Sequence, residues 1–239
     1  MAGVKLDPRP DPREGAAMTL GASDTRPALV TGASRGLGHA VAQALAPVRH
    51  VVAVARTTGA LEELDDAIRA KGGTATLAPL DVTDDGAMQH LCRDIHDRWG
   101  GLSLWVHCAI HAAPLTPAAM IDAKDFDQSV KVNAAAARRL IVYVAPLLGA
   151  EGTAVFLDDP MADAKHAGTY GASKRAQIAL ARAWAQERTA PRVLIHTPAP
   201  MPSALRARFF PGEDRTRLSP CADEAARLLA ALDPDASHA

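Results

Sequence analysis

From residue 28 onward the chain alternates short apolar runs with longer segments in which apolar residues recur every three or four positions. The runs at 28–31, 50–55, 74–80, 102–107, 153–157 and 193–196 are mostly Val, Leu, Ile and Ala. That pattern belongs to strands buried on both faces of a parallel sheet. The segments at 37–46, 61–71, 87–99, 126–148, 169–187 and 223–232 carry helical spacing, and Leu37, Val41, Ala44 and Leu45 share one face of the first. Six strands and six helices in strict alternation predict an α/β fold, a single-domain doubly wound parallel sheet with helices on both faces. Such sheets bind ligands outside the carboxyl ends of their strands, at the switch in strand order. The exit of the first strand is therefore the place to search for chemistry.

Residues 1–25 lack this pattern. They are rich in Pro, Gly and charge, which predicts a flexible leader ahead of a domain over 26–239, with Met18 as an alternative first residue. At 239 residues and 48% hydrophobic content the chain suffices for one continuous core. A net charge of −1, with both signs interspersed, gives no basic field for nucleic acid or an anionic membrane, so a small molecule is the expected partner. Cys92, Cys108 and Cys221 are widely spaced and form no Cys-x-x-Cys pair, which argues against a disulfide framework and against a metal site. With no apolar run of the ~20 residues that span a bilayer and no signal-peptide core, a cytoplasmic protein is expected.

At the first strand's exit stands Thr31-Gly32-Ala33-Ser34-Arg35-Gly36-Leu37-Gly38. Glycines there permit a tight turn and close approach of backbone to a pyrophosphate, while the following helix offers free N–H groups and the positive end of its dipole. Three glycines alone also make an ordinary turn; the strand-turn-helix setting favours the phosphate reading. At the tip of the second strand the chain reads Ala55-Arg56-Thr57, with no carboxylate to grip a ribose diol. Arg56, with Arg35 as a second cation, suits a 2′-phosphate, which predicts NADP(H) over NAD(H). A solvated surface role is the alternative for Arg56. Further on, Tyr170 and Lys174 lie four apart on one helix face. A phenol with a free pKa of ~10 exchanges protons poorly at neutral pH, and a nearby ammonium lowers that value.

The Thr-Gly-x-x-x-Gly-x-Gly turn followed by Tyr-x-x-x-Lys resembles the short-chain dehydrogenase/reductase family, over roughly Pro27 to Ala231. The resemblance implies a Rossmann-type, nucleotide-binding oxidoreductase that moves hydride between nicotinamide and a small carbonyl, alcohol or C=N substrate. Tyr170 would then be the general acid/base and Lys174 would also bind the nicotinamide ribose. Asn133 would hold a water in the proton relay. Cofactor contacts are implied for Thr31, Gly32, Ser34, Arg35, Gly36, Leu37 and Gly38, and for Arg56, Asp81, Val82, Ala109 and Ser203. Asp81 would meet the adenine amino group, with an N-cap as its alternative. Ser203 would anchor the carboxamide, although Ala199, Pro200 and Pro202 depart from the family's loop. The lid is expected around Leu205–Pro211, with Phe209 and Phe210 as its lining.

Two departures bear on the chemistry. His107-Cys108-Ala109-Ile110 stands where the family has Asn-Asn-Ala-Gly, so Ile110 shifts the loop or narrows the pocket; His107 and His111 read as structural, each with one backbone hydrogen bond. Asp159 stands where the family carries a Ser that hydrogen-bonds the substrate, with Asp158 one residue away and a solvated or capping role open for both. Pteridine reductases are similar in having an Asp at that position. An ionised Asp159 facing Tyr170 would oppose phenolate, so it must be protonated in the reaction or balanced by Lys174. The competing readings are a non-catalytic cofactor-binding protein that lost the Ser, and an assembly module. With a short tail after Leu232 the sheet should stop at six strands, leaving a homodimer through the Asn133 and Tyr170 helices, or a homotetramer, as the expected assembly.

Overall fold

The computed structural model describes residues 24–187 and 190–232, so the expected leader up to residue 23, Met18 included, and the last seven residues lie outside the described residues, while Asp24, at the leader's end, is held by Arg26. The strands are β1 (Ala28–Thr31), β2 (Val51–Ala55), β3 (Ala75–Pro79), β4 (Leu104–His107), β5 (Thr153–Leu157) and β6 (Arg192–His196). All pair in parallel, in the order β3-β2-β1-β4-β5-β6. The chain leaves β1 toward β2 on one side and returns to β4 on the other. The switch point therefore falls between β1 and β4, as the alternating pattern predicts.

Alternation along β1 divides the core. Ala28 and Val30 face a layer built with Val41 and Leu45 of α1 (Gly36–Leu45), Leu61 and Leu64 of α2 (Thr58–Arg69) and Leu228 of α8 (Cys221–Ala230). Leu29 faces the opposite layer, which holds Trp105 and Phe156 against Ile95 of α3 (Asp85–Trp99), Leu140 of α5 (Ala136–Leu148) and Ile178 of α6 (Gly168–Glu187). The edge strands correct one expectation. β3 and β6 are only partly buried, because among the described residues each has a neighbour on one side alone.

Two elements differ from the periodicity. The long fourth helix begins earlier, as α4 (Ala123–Ser129), and widens into a π turn over Val130–Ala135 before continuing as α5. Inside the lid, α7 (Ala204–Phe209) spans only six residues, too few to show a helical period.

Candidate active site

A cavity of about 760 Å³ opens along the carboxyl ends of the strands at the switch point. Its floor at one end is the glycine turn. Gly32 adopts φ +84°, and a Cβ there would lie 2.6 Å from the Ala109 amide nitrogen, so this turn and the β4 exit touch backbone to backbone. Helix α1 starts without a side-chain cap from Arg35 and with no acidic residue in its first turn. Its N-terminal N–H groups and positive dipole end are thus left to an anion in the cavity, which Ser34, Gly36, Leu37 and Gly38 also line. These features fit the pyrophosphate of a dinucleotide.

Arg35, Arg56, Asp81 and Val82 form the rim. Asp81 does not cap α3; that position belongs to Asp84, which accepts from Ala87 N. Instead Asp81 Oδ1 accepts from Thr83 N at 2.8 Å, and Oδ2 lies 4.0 Å from Arg56. Ser203 lines the cavity while capping α7, its oxygen accepting from Arg206 N, which leaves the hydroxyl hydrogen free to donate. Thr31 is a correction. Its hydroxyl is fully buried beneath the turn, 2.8 Å from His107 Nδ1 and within reach of the Trp105 indole N–H, and it does not reach the cavity. His107 therefore uses a side-chain partner rather than the expected backbone bond, and burial pushes its pKa down to about 3, which keeps it neutral.

At the other end α6 presents Tyr170 and Lys174, which are 2% and 4% exposed. Tyr170 Oη donates to Asp159 Oδ2 at 2.7 Å. Asp159 also caps the short turn that follows β5, its Oδ1 accepting from Met161 N, so the capping and facing roles coincide. Asp158 turns away, to Arg175 at 2.6 Å and Arg182 at 3.3 Å. The close approach depends on Gly171, where a Cβ would collide with the carbonyl oxygen of Ala162.

The electrostatics reverse one expectation. Burial, with Asp159 at contact, raises the Tyr170 pKa above its ordinary value instead of lowering it. Lys174 donates to Gln177 Oε1 at 2.7 Å, and burial brings its own pKa down to about 8. Asn133 is likewise corrected. Its amide is spent on the β4 exit, accepting from His111 N at 2.7 Å and donating to His111 O and Ser173 Oγ, each at 2.9 Å. Its carbonyl accepts from Gln177 Nε2, and it does not line the cavity. Gln177, 1% exposed, escaped the sequence reading. Its signal was a buried amide one turn beyond Lys174, legible only once the helix face is known.

Ile110 narrows the pocket, packing with the cluster of Ala162, Tyr170 and Phe209. The lid helix α7 lays the Phe209 ring edge-on against Tyr170, with centroids 5.1 Å apart, while Arg206 spans Phe210 and pairs with Glu213. No described helix is long and apolar enough to cross a membrane.

The short chain dehydrogenase family model matches residues 26–213. A fatty acyl-CoA reductase of Acinetobacter baylyi is 33% identical over 121 residues, half of this chain but only 41% of that protein, so the chain spans about two fifths of the curated relatives it first matches. A short chain dehydrogenase from Pseudomonas syringae superposes with a TM-score of 0.82 at 26% identity, over 90% of this chain and 93% of that one. One from Shigella flexneri, complexed with NADP, gives 0.81 at 25% identity over 89% and 92%. With the sheet order, the glycine turn and the Tyr170–Lys174 helix in place, these matches establish that the chain belongs to the short chain dehydrogenase family of NAD(P)-dependent oxidoreductases.

Proposed function

We propose that the protein is an NADP(H)-dependent reductase of a small carbonyl or C=N compound, with Tyr170 as the proton donor. The observation that carries this reading is the 2.7 Å bond from Tyr170 Oη to Asp159 Oδ2 at the buried end of the cavity. A phenol held against a carboxylate stays in the protonated form, not the phenolate that alcohol oxidation requires, and gives up its proton to the strongly basic anion that hydride addition creates on the substrate. NADPH, when bound, supplies hydride from C4 of its nicotinamide. The chain's own residues do the rest. Lys174 holds the ribose, and Tyr170 delivers its proton to the substrate oxygen or nitrogen. A proton from solvent then reaches Asp159 and passes to Tyr170, restoring the acid. Retention of both Tyr170 and Lys174 in the cavity tells against a cofactor-binding protein without turnover.

Arg35 and Arg56 at the rim support a 2′-phosphate. Arg56→Glu is expected to weaken NADPH by roughly tenfold to a hundredfold, in the range of a lost charge-assisted contact, and to leave NADH little changed. Fluorescence titration with both cofactors checks this, and equal losses would remove Arg56 from the phosphate site. The Asp159–Tyr170 contact also favours a second, narrower reading, a pteridine-reductase-like activity on a ring C=N. NADPH consumption against ketones, quinones and dihydropterins separates the two readings, and tight NADPH binding with no turnover on any of them would sink both. For assembly we favour a homodimer through the Asn133 and Tyr170 helices, α4–α5 and α6, with Phe126 and Val142 exposed on the first of them. The free cysteines support a reducing, cytoplasmic setting.

A further inference from the structure

The geometry points to Gln177 as a positioning residue that fixes the Lys174 ammonium and occupies the place of a relay water, closing the inner proton route so that, among the described residues, Asp159 is the group that returns the proton to Tyr170. The inference rests on the reading of Tyr170 as the acid. Five hydrogen bonds carry it. Lys174 Nζ donates to Gln177 Oε1 at 2.7 Å, Gln177 Nε2 donates to the Asn133 carbonyl at 2.9 Å, and the Asn133 side-chain amide spends both its hydrogens on His111 O and Ser173 Oγ and accepts from His111 N. The resemblance led us to expect a water on Asn133. Instead a side-chain amide spans the gap between the ammonium and that carbonyl, and both amide and ammonium are almost fully buried.

The substitution changes what the span can carry. A water accepts one proton and releases another, so it passes protons along. A carboxamide accepts at oxygen and donates at nitrogen, and no proton crosses it without forming a high-energy tautomer. The span therefore orients Lys174 without relaying. Asp159, half-buried on the turn after β5, is left as the group that touches Tyr170 Oη and also reaches the cavity. The balance is simple. Tyr170 loses one proton to the reduced substrate, Asp159 takes one from solvent, and that proton passes to the phenolate.

Two variants separate the roles. Gln177→Leu removes the amide but fills its space, whereas Gln177→Ala leaves a polar gap, flanked by Lys174 and the Asn133 carbonyl, that one water can enter. The chain has six lysines, which makes a titration of the Lys174 ammonium by NMR practical in the full, cofactor-free protein, assigned with Lys174→Arg. In Gln177→Leu the proton affinity of Lys174 is expected to fall about tenfold, because a buried ammonium loses the Gln177 oxygen it donates to. An unchanged titration would overturn the positioning role whatever the reaction proves to be. For the route, Asp159→Asn is expected to cut kcat by roughly 10²-fold in the parent, a usual loss for a proton-transfer group, but by less than tenfold in the Gln177→Ala background. Equal losses in both backgrounds would show that the gap restores no relay and would overturn the closed route. An Asp159→Asn parent with full activity would overturn it together with the catalytic reading, leaving the Lys174 titration to judge Gln177 alone.

Discussion

Tyr170→Phe is expected to lower kcat by roughly 10²- to 10⁴-fold, the usual span for a general acid, while the NADPH dissociation constant stays as it is. The separation follows from the site. Among the described residues the phenol hydroxyl bonds Asp159 alone, whereas the glycine turn proposed for the pyrophosphate lies at the other end of the cavity. The Phe209 ring would still rest against a phenyl ring, so packing is kept. Single-turnover measurement of NADPH oxidation beside a binding titration decides the matter, and a variant that keeps most of its rate removes Tyr170 from the mechanism. In the parent the same assay should show an alkaline limb. The pKa of Lys174 is depressed to about 8, so its ammonium is present below that pH and lost as pH rises through it. Activity should therefore be flat on the acid side of 8 and decline above it.

The second large effect is expected at a residue without a functional group. Gly171→Ala places a methyl group on the Ala162 carbonyl, forcing α6 away from the turn that Asp159 caps. Overpacking of this kind costs about 1–3 kcal/mol, and at this chain length each kcal/mol lowers Tm by about 2–4 °C. The functional loss should exceed what stability explains. Displacing Tyr170 from Asp159 by ~1 Å is enough to cost on the order of 10²-fold in kcat/KM. Thermal unfolding and steady-state kinetics on the same preparation test both parts. A variant with parental Tm and parental rate would mean that the helix and the turn do not need their close contact.

Much of this architecture was legible in the chain because parallel strands and amphipathic helices write different periods. The run at 28–31 gave a strand buried on both faces, whose alternation puts Leu29 and Val30 in opposite layers, and the Gly32–Gly38 turn marked the cavity. Local spacing also placed Tyr170 and Lys174 on one face. What escaped were contacts set by depth and by long-range approach. Nothing in the neighbourhood of Thr31 says that its hydroxyl turns inward to His107, 76 positions away. Asn133 reads as a relay residue until the π turn delivers its amide to His111. The Tyr170 pKa is raised first by burial and then by Asp159; the opposing carboxylate was anticipated, but the depth of the phenol was not, and the rule that an ammonium lowers a phenol's pKa gave the opposite answer.

The Phe209 ring has a kinetic meaning as well as a packing one. It lies edge-on against Tyr170, on a helix of six residues tied down by Arg206 and Glu213, and it helps to leave the phenol almost without solvent. Tyr170 itself lines the cavity, so a substrate that reaches the phenol comes to lie beside the Phe209 ring. A good substrate is then one whose own apolar surface packs against that ring while it takes the proton. Compounds that add such surface should show a lower KM at similar kcat, so the ring selects partners by what lies next to the bond being reduced.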